Sequence, residues 1–373
     1  MSKLNRIEIS GFKSISPEHP LSLDLHDVTV ILGANGSGKS NIISFFKMLN
    51  FMMSGSFQKY VETNGGSQGF LFYGSRYTQA IHATLSFRDG QNNLDEYRVG
   101  LSYAQGDHLV ITSEQTTVQY ADRPVPSVKN LPVNFKESVL AGRTDNATLR
   151  VLRKILANCK VYQFHDSSMT APMRNASYLE IDNYLQSEAD NLAAFLFRIK
   201  RQYPNDYDRI VSYIRLVVPQ FKDFVLEPGA NDKILLKWKD DSASDYLFLP
   251  HQFSDGSMRF IALATLLLQP RKLMPRMIII DEPELGLHPY AITQLAEMIK
   301  DASHNAQIIV ATQSPLLVDE FEVSDIVVVE SHKESDKNYT TANHLNQDAL
   351  SKWLEDYSVS ELWEKNVIGG RPL

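Results

Sequence analysis

The sequence is poor in cysteine and in long apolar runs, and both absences exclude classes of protein. Cys159 is the single cysteine, which excludes an internal disulfide and a cysteine-based metal cluster and favours a reducing compartment. The longest apolar run, near residues 261–268, is far too short to span a bilayer. The first residues alternate like a strand and lack the apolar core of a signal peptide. We therefore expect a soluble, cytoplasmic protein without a membrane partner.

An excess of positive charge is also missing. The formal net charge is −7, which argues against a general polyanion-binding surface but leaves room for a local basic patch. Two basic groups are present, and a solvated helix face is their simplest interpretation: Arg198/Lys200/Arg201 and Arg271/Lys272/Arg276. Repeats, low-complexity segments and heptads are absent too, so no long coiled coil is expected.

A phosphate-binding loop is the strongest signal that the sequence does contain. The β-branched run 28–32 leads into Gly33–Ser40, GANGSGKS, which matches G-x-x-x-x-G-K-[ST] between a strand and a helix. Its glycines let backbone N–H groups approach phosphate oxygens. Lys39 suits the β- and γ-phosphates, Ser40 suits Mg²⁺, and the helix that starts near Lys39 adds its dipole. The pattern predicts binding of a nucleoside triphosphate.

A second apolar strand ends in two adjacent carboxylates. Residues 277–280 are apolar and lead into Asp281, Glu282 and Pro283. Asp281 suits a magnesium-binding carboxylate, and Glu282 suits the residue that polarises the attacking water. Taken alone, an acidic strand tip in solvent is the simpler interpretation. The phosphate loop in the same chain favours the catalytic one.

A short serine- and glycine-containing turn precedes that strand. It reads FSDGSMR over residues 253–259, with Ser254 placed to cap a helix over 258–268. An exposed helix N-terminus is a potential anion site. The pattern is weak in isolation, but it lies one helix and one short loop before Asp281.

Elsewhere the period of apolar residues predicts ordinary elements. We expect antiparallel strands over 80–87, 97–103 and 109–120, with hairpin turns at Asp89-Gly90 and Gly106-Asp107. Further along the chain, the pattern predicts a helix over 183–203 and a strand over 234–238.

The motifs together resemble a known superfamily. GANGSGKSN, FSDGSMRF, IIIDEPELGLHP and VATQSP follow the order of ATP-binding-cassette proteins, and within them resemble the RecF, SMC/Rad50 and OLD-nuclease ATPase heads. VYQFHDSS, NLAAFLFRIK and LWEKNVIGGRP are similar to standalone bacterial AAA-family ATPases of about this length. The resemblance covers essentially the whole chain.

The resemblance implies an α/β ATPase head. Its parts are a mixed central sheet around the phosphate-loop helix, an antiparallel β subdomain and a helical signature subdomain, without a long coiled coil. The expected domains are an N-terminal ATPase lobe (1–165), a helical and β insert with the signature (166–270), a C-terminal lobe (271–335) and a tail (336–373).

It also implies ATP and Mg²⁺ as cofactors and a head-to-tail homodimer with two nucleotides at its interface. Ser254 and Gly256 would contact the γ-phosphate held by the second copy, and Lys13 would lie near the nucleotide. Gln163 is expected where relatives have a metal- and water-sensing glutamine, although a plain surface glutamine is equally compatible. The implied nucleotide-binding residues are Gly33, Ala34, Asn35, Gly36, Ser37, Gly38, Lys39, Ser40, Asn41, Ser254 and Gly256; the metal ligands are Ser40, Asp281 and Gln163; the catalytic residues are Glu282 and Gln313.

Two positions depart from the family pattern. Asp255 stands where transporters usually have glycine, and Gln313 stands where many relatives have a switch histidine. Glutamine can hydrogen-bond a γ-phosphate but cannot carry a proton or a charge. We therefore expect slow ATP hydrolysis. No clear aromatic residue precedes the loop to stack on adenine, so the base specificity stays open.

The motifs do not indicate which process the ATPase would drive. Our hypothesis is that it switches a separate effector, a nuclease or a toxin, in bacterial defence against phage, an assignment that rests on family analogy. A RecF-like DNA-repair ATPase that binds duplex DNA, an OLD-like nuclease subunit and a transporter ATPase are the alternatives. His165, Asp166 and His288 are weaker candidates, since ordinary hydrogen-bonded histidines are more common than isolated metal ligands.

Overall fold

Two units organise the computed structural model, which describes residues 3–123, 125–142, 147–243 and 245–371. Unit 1 comprises Met1–Lys160 and Glu322–Leu373, and unit 2 comprises Val161–Phe321. The domain boundaries expected at residues 165, 270 and 335 stay predictions.

The strands and helices have the following bounds. The strands are β1 Lys3–Ser10, β2 Leu21–Asp24, β3 Val28–Leu32, β4 Ala80–Arg88, β5 Leu94–Ala104, β6 His108–Gln119, β7 Ser127–Asn130, β8 Cys159–Tyr162, β9 Ser177–Tyr178, β10 Phe221–Val225, β11 Lys233–Ile234, β12 Lys237–Asp240, β13 Leu247–Phe248, β14 Met277–Asp281, β15 Gln307–Thr312, β16 Ile326–Glu334 and β17 Lys337–His344. The helices are α1 Lys39–Ser54, α2 Phe57–Thr63, α3 Ala147–Ala157, α4 Leu192–Gln202, α5 Pro204–Val217, α6 Asp255–Leu267, α7 Pro289–Ser303, α8 Pro315–Val318, α9 Gln347–Leu354 and α10 Val359–Glu364.

An antiparallel sheet dominates unit 1. Its order is β2-β1-β4-β5-β6-β7, and each neighbouring pair is antiparallel. The β4–β5 turn carries Asn92 at φ 66°, and the β5–β6 turn carries Gly106 and Asp107 at φ 83° and 62°. These left-handed positions explain the Gly, Asn and Asp residues there. The predicted hairpins and the antiparallel subdomain are confirmed.

The strand before the phosphate loop lies in a mixed sheet of unit 1. β3 pairs parallel with β16, and β16 pairs antiparallel with β17. All residues of β3 are buried. α1, which follows the loop, buries an apolar face that includes Phe45, whose ring meets that of Phe12 edge-on at 5.4 Å. Burial of this face fixes the start of α1, and with it the loop.

Parallel strands form the corresponding part of unit 2. β14 pairs parallel with β15, with Asp281 opposite Ala311, and both strands are fully buried. Because parallel strands end at the same edge, the loops after Asp281 and Thr312 lie side by side. α6 is almost entirely buried after its first turn.

The predicted helix over 183–203 is wrong in its first half. α4 begins only at Leu192. Ala189 adopts φ 56°, a left-handed conformation that interrupts a helix. The buried Asn191 amide donates to the carbonyls of Ile181 and Tyr184, so the preceding segment folds as turns around that side chain.

The predicted strand over 234–238 is split. Ile234 pairs with Ser177 in one sheet, whereas Lys237 pairs with Val225 in another. The apolar alternation continues across the split, so a switch between sheets leaves no trace in the pattern.

No helix of the described residues exceeds the 16 residues of α1, so the expected absence of a long coiled coil holds for that part of the chain. Over the same ranges, none of the helices has both the length and the apolar character that crossing a membrane requires.

Candidate functional site

The phosphate loop of unit 1 depends on two glycines with left-handed backbones. Gly36 and Gly38 adopt φ 81° and 111°, and Gly38 is the N-cap of α1. A Cβ atom at Gly38 would lie 2.2 Å from Oγ1 of Thr340. Glycine is therefore required at Gly38 both for its backbone conformation and for space.

A chain of side-chain hydrogen bonds braces this loop. The Asn41 amide donates to Ser14 Oγ (2.7 Å), which lies 2.8 Å from Thr340 Oγ1. Thr340 Oγ1 in turn donates to the carbonyl oxygen of Ser37 (2.9 Å). Thr340, on β17, is 1% exposed. The turn after β1 and a strand about 300 residues later thus hold the loop from both sides.

A second brace comes from the segment after α10. The Ala34 N–H donates to the Gly370 carbonyl (3.0 Å), and the Gly370 N–H donates to Glu330 Oε1 (2.9 Å). These bonds hold the first residues of the loop and do not involve the N–H groups of Asn35 and Gly36, at the exposed crown of the loop.

The crown of the loop stays accessible. Asn35, Gly36 and Ser40 are exposed, while Lys39 is buried and its Nζ donates to the carbonyls of Gly33 (2.6 Å) and Ala34 (3.0 Å). The N-terminal end of α1 and the Lys39 ammonium place positive charge at this crown. The arrangement suits an anion such as a phosphate group.

A cavity of about 460 Å³ lies beside the start of α1. Its lining residues are Lys13, Ser14, Asn41, Gly69, Tyr73 and Asn338. Lys13 adopts φ 49°, and burial lowers the pKa of its ammonium. Lys13, which the resemblance placed near a nucleotide, therefore lines a space that begins at the phosphate-loop helix.

The acidic end of β14 is organised by hydrogen bonds within unit 2. Gln163, directly after β8, donates from Nε2 to Asp281 Oδ2 (2.9 Å), and His165 Nε2 lies 3.1 Å from the Asp281 carbonyl. Asp281 is buried. The structure thus brings together the predicted residues Gln163 and Asp281.

The weaker histidine candidates have ordinary hydrogen bonds. His165 contacts a main-chain carbonyl, and His288 caps α7 by accepting from the Tyr290 N–H (3.3 Å). Within the described ranges, no group of three or more His, Cys, Asp or Glu side chains is placed to hold a metal ion.

Glu282 is held in a strained backbone. Its φ is 45°, and its N–H donates to the Ala311 carbonyl (2.8 Å). A left-handed backbone at a non-glycine residue costs about 1–3 kcal/mol and is concentrated at functional sites. The parallel pairing of β14 with β15, which the Glu282 N–H extends by one bond, stabilises this conformation.

Glu284 was not predicted from the sequence. It is buried, and its Oε1 accepts from Thr312 Oγ1 (2.5 Å) and from the Gln313 N–H (3.4 Å). Its Oε2 is buried and has no hydrogen-bond partner among the described residues. Burial raises the pKa of this carboxyl group. Glu284 therefore connects the loop after β14 to Gln313; only the spatial pairing of the two loops reveals it.

The signature turn opens α6 in unit 2. Ser254 is exposed and is the predicted N-cap: its Oγ accepts from the Ser257 N–H (3.1 Å). A Cβ atom at Gly256 would lie 2.6 Å from the Gly286 carbonyl oxygen. Gly256 is thus needed for close packing within its own chain, whatever else it contacts.

Replacing Thr340 with valine tests the brace of the loop. The Thr340→Val variant keeps the shape but leaves the Ser37 carbonyl without its donor, so we expect a loss of about 1–3 kcal/mol in unfolding free energy. Urea unfolding measures it. Thr341→Val, the next residue of β17, is the control; an equal loss in both variants would contradict the brace.

Replacing Glu284 with glutamine tests the buried carboxyl. Because its pKa is raised in the folded chain, the stability that Glu284 contributes is complete below its unfolded pKa and is lost as pH rises through its folded pKa. Glu284→Gln does not titrate, so its stability relative to the wild type should increase with pH across the mildly acidic range. Urea unfolding at several pH values measures this, and a constant difference would refute it.

Two family models match the sequence. One, described as "AAA domain", matches residues 6–203, slightly more than half of the chain. The other, described as "AAA domain, putative AbiEii toxin, Type IV TA system", matches residues 152–319. No curated protein matches the sequence.

Solved SMC heads share the fold. An SMC head bound to the C-winged helix domain of ScpA is 16% identical, with 93% of this chain and 99% of that chain covered and a TM-score of 0.60. An SMC head with an extended coiled coil, bound to the C-terminal domain of ScpA derived from Pyrococcus furiosus, is 16% identical, with coverages of 95% and 99% and a TM-score of 0.54. The expected α/β architecture is confirmed. The chain belongs to the AAA domain family, and its fold is that of an SMC head domain.

Proposed function

We propose that the protein binds ATP and Mg²⁺ and hydrolyses ATP slowly to ADP and phosphate. The observation that carries this proposal is the phosphate loop GANGSGKS, complete in sequence and braced with its crown accessible. The strand end of unit 2, where Gln163 contacts Asp281 beside the strained Glu282, supports it.

In this proposal the loop binds the phosphates. Its backbone N–H groups and the N-terminal end of α1 contact phosphate oxygens. Lys39 exchanges its bonds to the Gly33 and Ala34 carbonyls for bonds to the β- and γ-phosphates. The cavity lined by Lys13 and Tyr73 begins at α1 and suits the nucleoside.

The donor set suits magnesium. Ser40, Asp281 and Gln163 offer a hydroxyl, a carboxylate and an amide oxygen, the hard ligands that Mg²⁺ prefers. Because Gln163 gives its NH₂ group to Asp281, its carbonyl oxygen is the atom suited to a metal. When bound, Mg²⁺ supplies charge stabilisation on the phosphates.

Glu282 acts as the base. Its carboxylate takes a proton from the attacking water as the water oxygen bonds the γ-phosphorus and the bond to the leaving ADP oxygen breaks. Gln313 orients the γ-phosphate by hydrogen bonding. Since glutamine cannot carry a proton, we propose slow turnover suited to a timed switch.

A second copy of the chain completes each site in this proposal. Ser254 and Gly256, at the exposed start of α6, contact the γ-phosphate held by the other copy in a head-to-tail homodimer. In unit 2, Leu285, Tyr290 and Leu316 are large apolar side chains in or near the loops after β14 and β15, and all three are exposed. A second copy would cover them.

We further propose that the dimer switches a separate effector protein, a nuclease or a toxin, in the cytoplasm as part of defence against phage. The toxin–antitoxin description of the family model over 152–319 and the ScpA-bound state of the similar SMC heads support a protein partner. A pull-down at native level tests it. Capture of duplex DNA in place of a protein would favour the RecF-like alternative, and cleavage of a plasmid by the purified chain would favour the OLD-like nuclease alternative.

Replacing Lys39 with alanine tests nucleotide binding. Charge-assisted hydrogen bonds contribute about 1.5–3 kcal/mol each, so we expect affinity for ATP to fall by roughly ten- to hundred-fold or more. Isothermal calorimetry measures it, with Lys129→Ala on the exposed strand β7 as the control. An unchanged affinity of Lys39→Ala would overturn the assignment of the loop.

Replacing Glu282 with glutamine tests the base and the dimer together. We expect ATP binding to persist, kcat to fall by roughly 10²–10⁴-fold, and the chain to elute as an ATP-locked dimer in size-exclusion chromatography. Glu297→Gln, on the exposed face of α7, is the matched control. Unchanged hydrolysis refutes the role of Glu282, and a monomer with bound ATP refutes the dimer.

A further inference from the structure

Asp255, the position at which the signature turn departs from the transporter pattern, is paired with a buried cation. Arg174 Nη2 lies 2.8 Å from Asp255 Oδ1. The Arg174 side chain is 2% exposed, whereas that of Asp255 is 65% exposed. A buried guanidinium requires partners for its N–H groups. Asp255 supplies a carboxylate, and the other acceptors that bond Arg174 are main-chain carbonyls.

Arg174 joins two segments of unit 2. Its Nη1 donates to the carbonyls of Pro250 (2.6 Å) and Phe253 (3.0 Å), which precede the signature serine. Its Nε donates to the Ser167 carbonyl (3.0 Å). One side chain therefore holds the signature turn and the segment after β8 at a fixed separation.

A second buried arginine makes the same connection from α6. Arg259 donates from Nε to the Phe164 carbonyl (2.7 Å) and from Nη2 to the His165 carbonyl (2.8 Å). Arg174 and Arg259, which we call the arginine pair, thus occupy the carbonyls of Phe164, His165 and Ser167.

The segment 163–167 needs these donors because it has left the sheet. β8 ends at Tyr162, and the residues that follow have no regular secondary structure. Phe164 and Ser167 are nevertheless buried. Buried carbonyls outside a ladder must find donors elsewhere, and here the arginine pair provides them.

The same segment carries the contacts to Asp281. Gln163 donates to its carboxylate, and His165 lies within hydrogen-bonding distance of its carbonyl. Asp281 precedes the strained Glu282. The start of α6 also lies against the loop after β14, since a Cβ atom at Gly256 would lie 2.6 Å from the Gly286 carbonyl oxygen.

We propose that Asp255 is a positioning residue for ATP hydrolysis: through Arg174 it fixes segment 163–167, and thereby Gln163 and His165, against Asp281. The proposal rests on the proposed function and deepens it. In this proposal the positions of Asp281 and Glu282 depend on the signature turn of the same chain. It also explains why aspartate stands where glycine is usual, since glycine would leave this side of Arg174 without its carboxylate.

Removal of the Asp255 carboxylate should leave the fold intact. Asp255 is mostly exposed, and Arg174 keeps its three carbonyl acceptors when the carboxylate is removed. Asp255→Ala should therefore fold. Asp301→Ala is the matched control, because Asp301 pairs with Arg209 at 2.6 Å in the same unit, outside the arginine pair.

The first readout is kinetic. For Asp255→Ala we expect kcat to fall by roughly ten- to hundred-fold, as for a catalytic group displaced by a small distance, with ATP affinity and melting temperature equal to those of Asp301→Ala. Asp255→Asn keeps one acceptor oxygen for Arg174 and should recover part of the loss. Equal kcat values in Asp255→Ala and Asp301→Ala would overturn the proposal, as would a loss confined to ATP affinity.

The second readout needs no nucleotide. Hydrogen–deuterium exchange of the free chain should show faster exchange over residues 164–168 in Asp255→Ala than in Asp301→Ala, because Arg174 without its carboxylate partner holds the Ser167 carbonyl less rigidly. Equal exchange in the two variants would overturn the coupling even if both hydrolyse ATP. If the wild type shows no hydrolysis while the exchange difference is present, the proposed function fails and the link between Asp255 and segment 163–167 stands.

Discussion

The structure depends on one constraint: main-chain N–H and carbonyl groups beyond the ends of the strands need hydrogen-bond partners. A buried carbonyl or N–H group without a hydrogen-bond partner destabilises the folded state, because it has lost its hydrogen bonds to water and gained none in return. The chain meets that requirement with side chains from distant positions: Thr340 bonds the Ser37 carbonyl, Arg259 bonds the Phe164 carbonyl, and Glu284 accepts from the Gln313 N–H. Each of these loops is thereby fixed by a residue outside it.

These contacts hold the backbone of each loop in place and leave part of the loop exposed to solvent. In unit 1 the phosphate loop is held at both ends, by Thr340 and by the Gly370 carbonyl, while Gly36 at its crown remains exposed. In unit 2 the parallel strands β14 and β15 hold Glu282 at a positive φ that an unsupported chain would leave. Braced backbones suit binding and catalysis because the groups need little reordering when a ligand arrives.

The signature turn illustrates how a departure from a family pattern gains a physical meaning. From the sequence, Asp255 is only an unusual residue beside Ser254. In the structure it is the counter-ion of the buried Arg174, a residue that no motif contains. The two glycines of the neighbourhood also have a physical explanation: a Cβ atom at Gly256 would lie 2.6 Å from the Gly286 carbonyl oxygen, and Gly286 adopts φ 75°, with a Cβ atom there 2.9 Å from Arg259 Nη1.

Local chemistry decided how much the sequence determined by itself. The phosphate loop, the strand ending at Asp281, the cap at Ser254 and the hairpins near Gly106 all follow from neighbouring residues, and each was predicted. Errors arose where a distant contact overrides a local period: Ala189 and Asn191 interrupt the helix expected over 183–203, and the strand expected over 234–238 divides between two sheets.

The tertiary structure alone decided the supports: Thr340, Glu284 and the arginine pair. Apart from the Ser167 carbonyl, seven residues before Arg174, their side-chain partners lie between 28 and 326 residues away along the chain, and hydrogen bonding over such separations depends on how the strands are ordered, which no local pattern encodes.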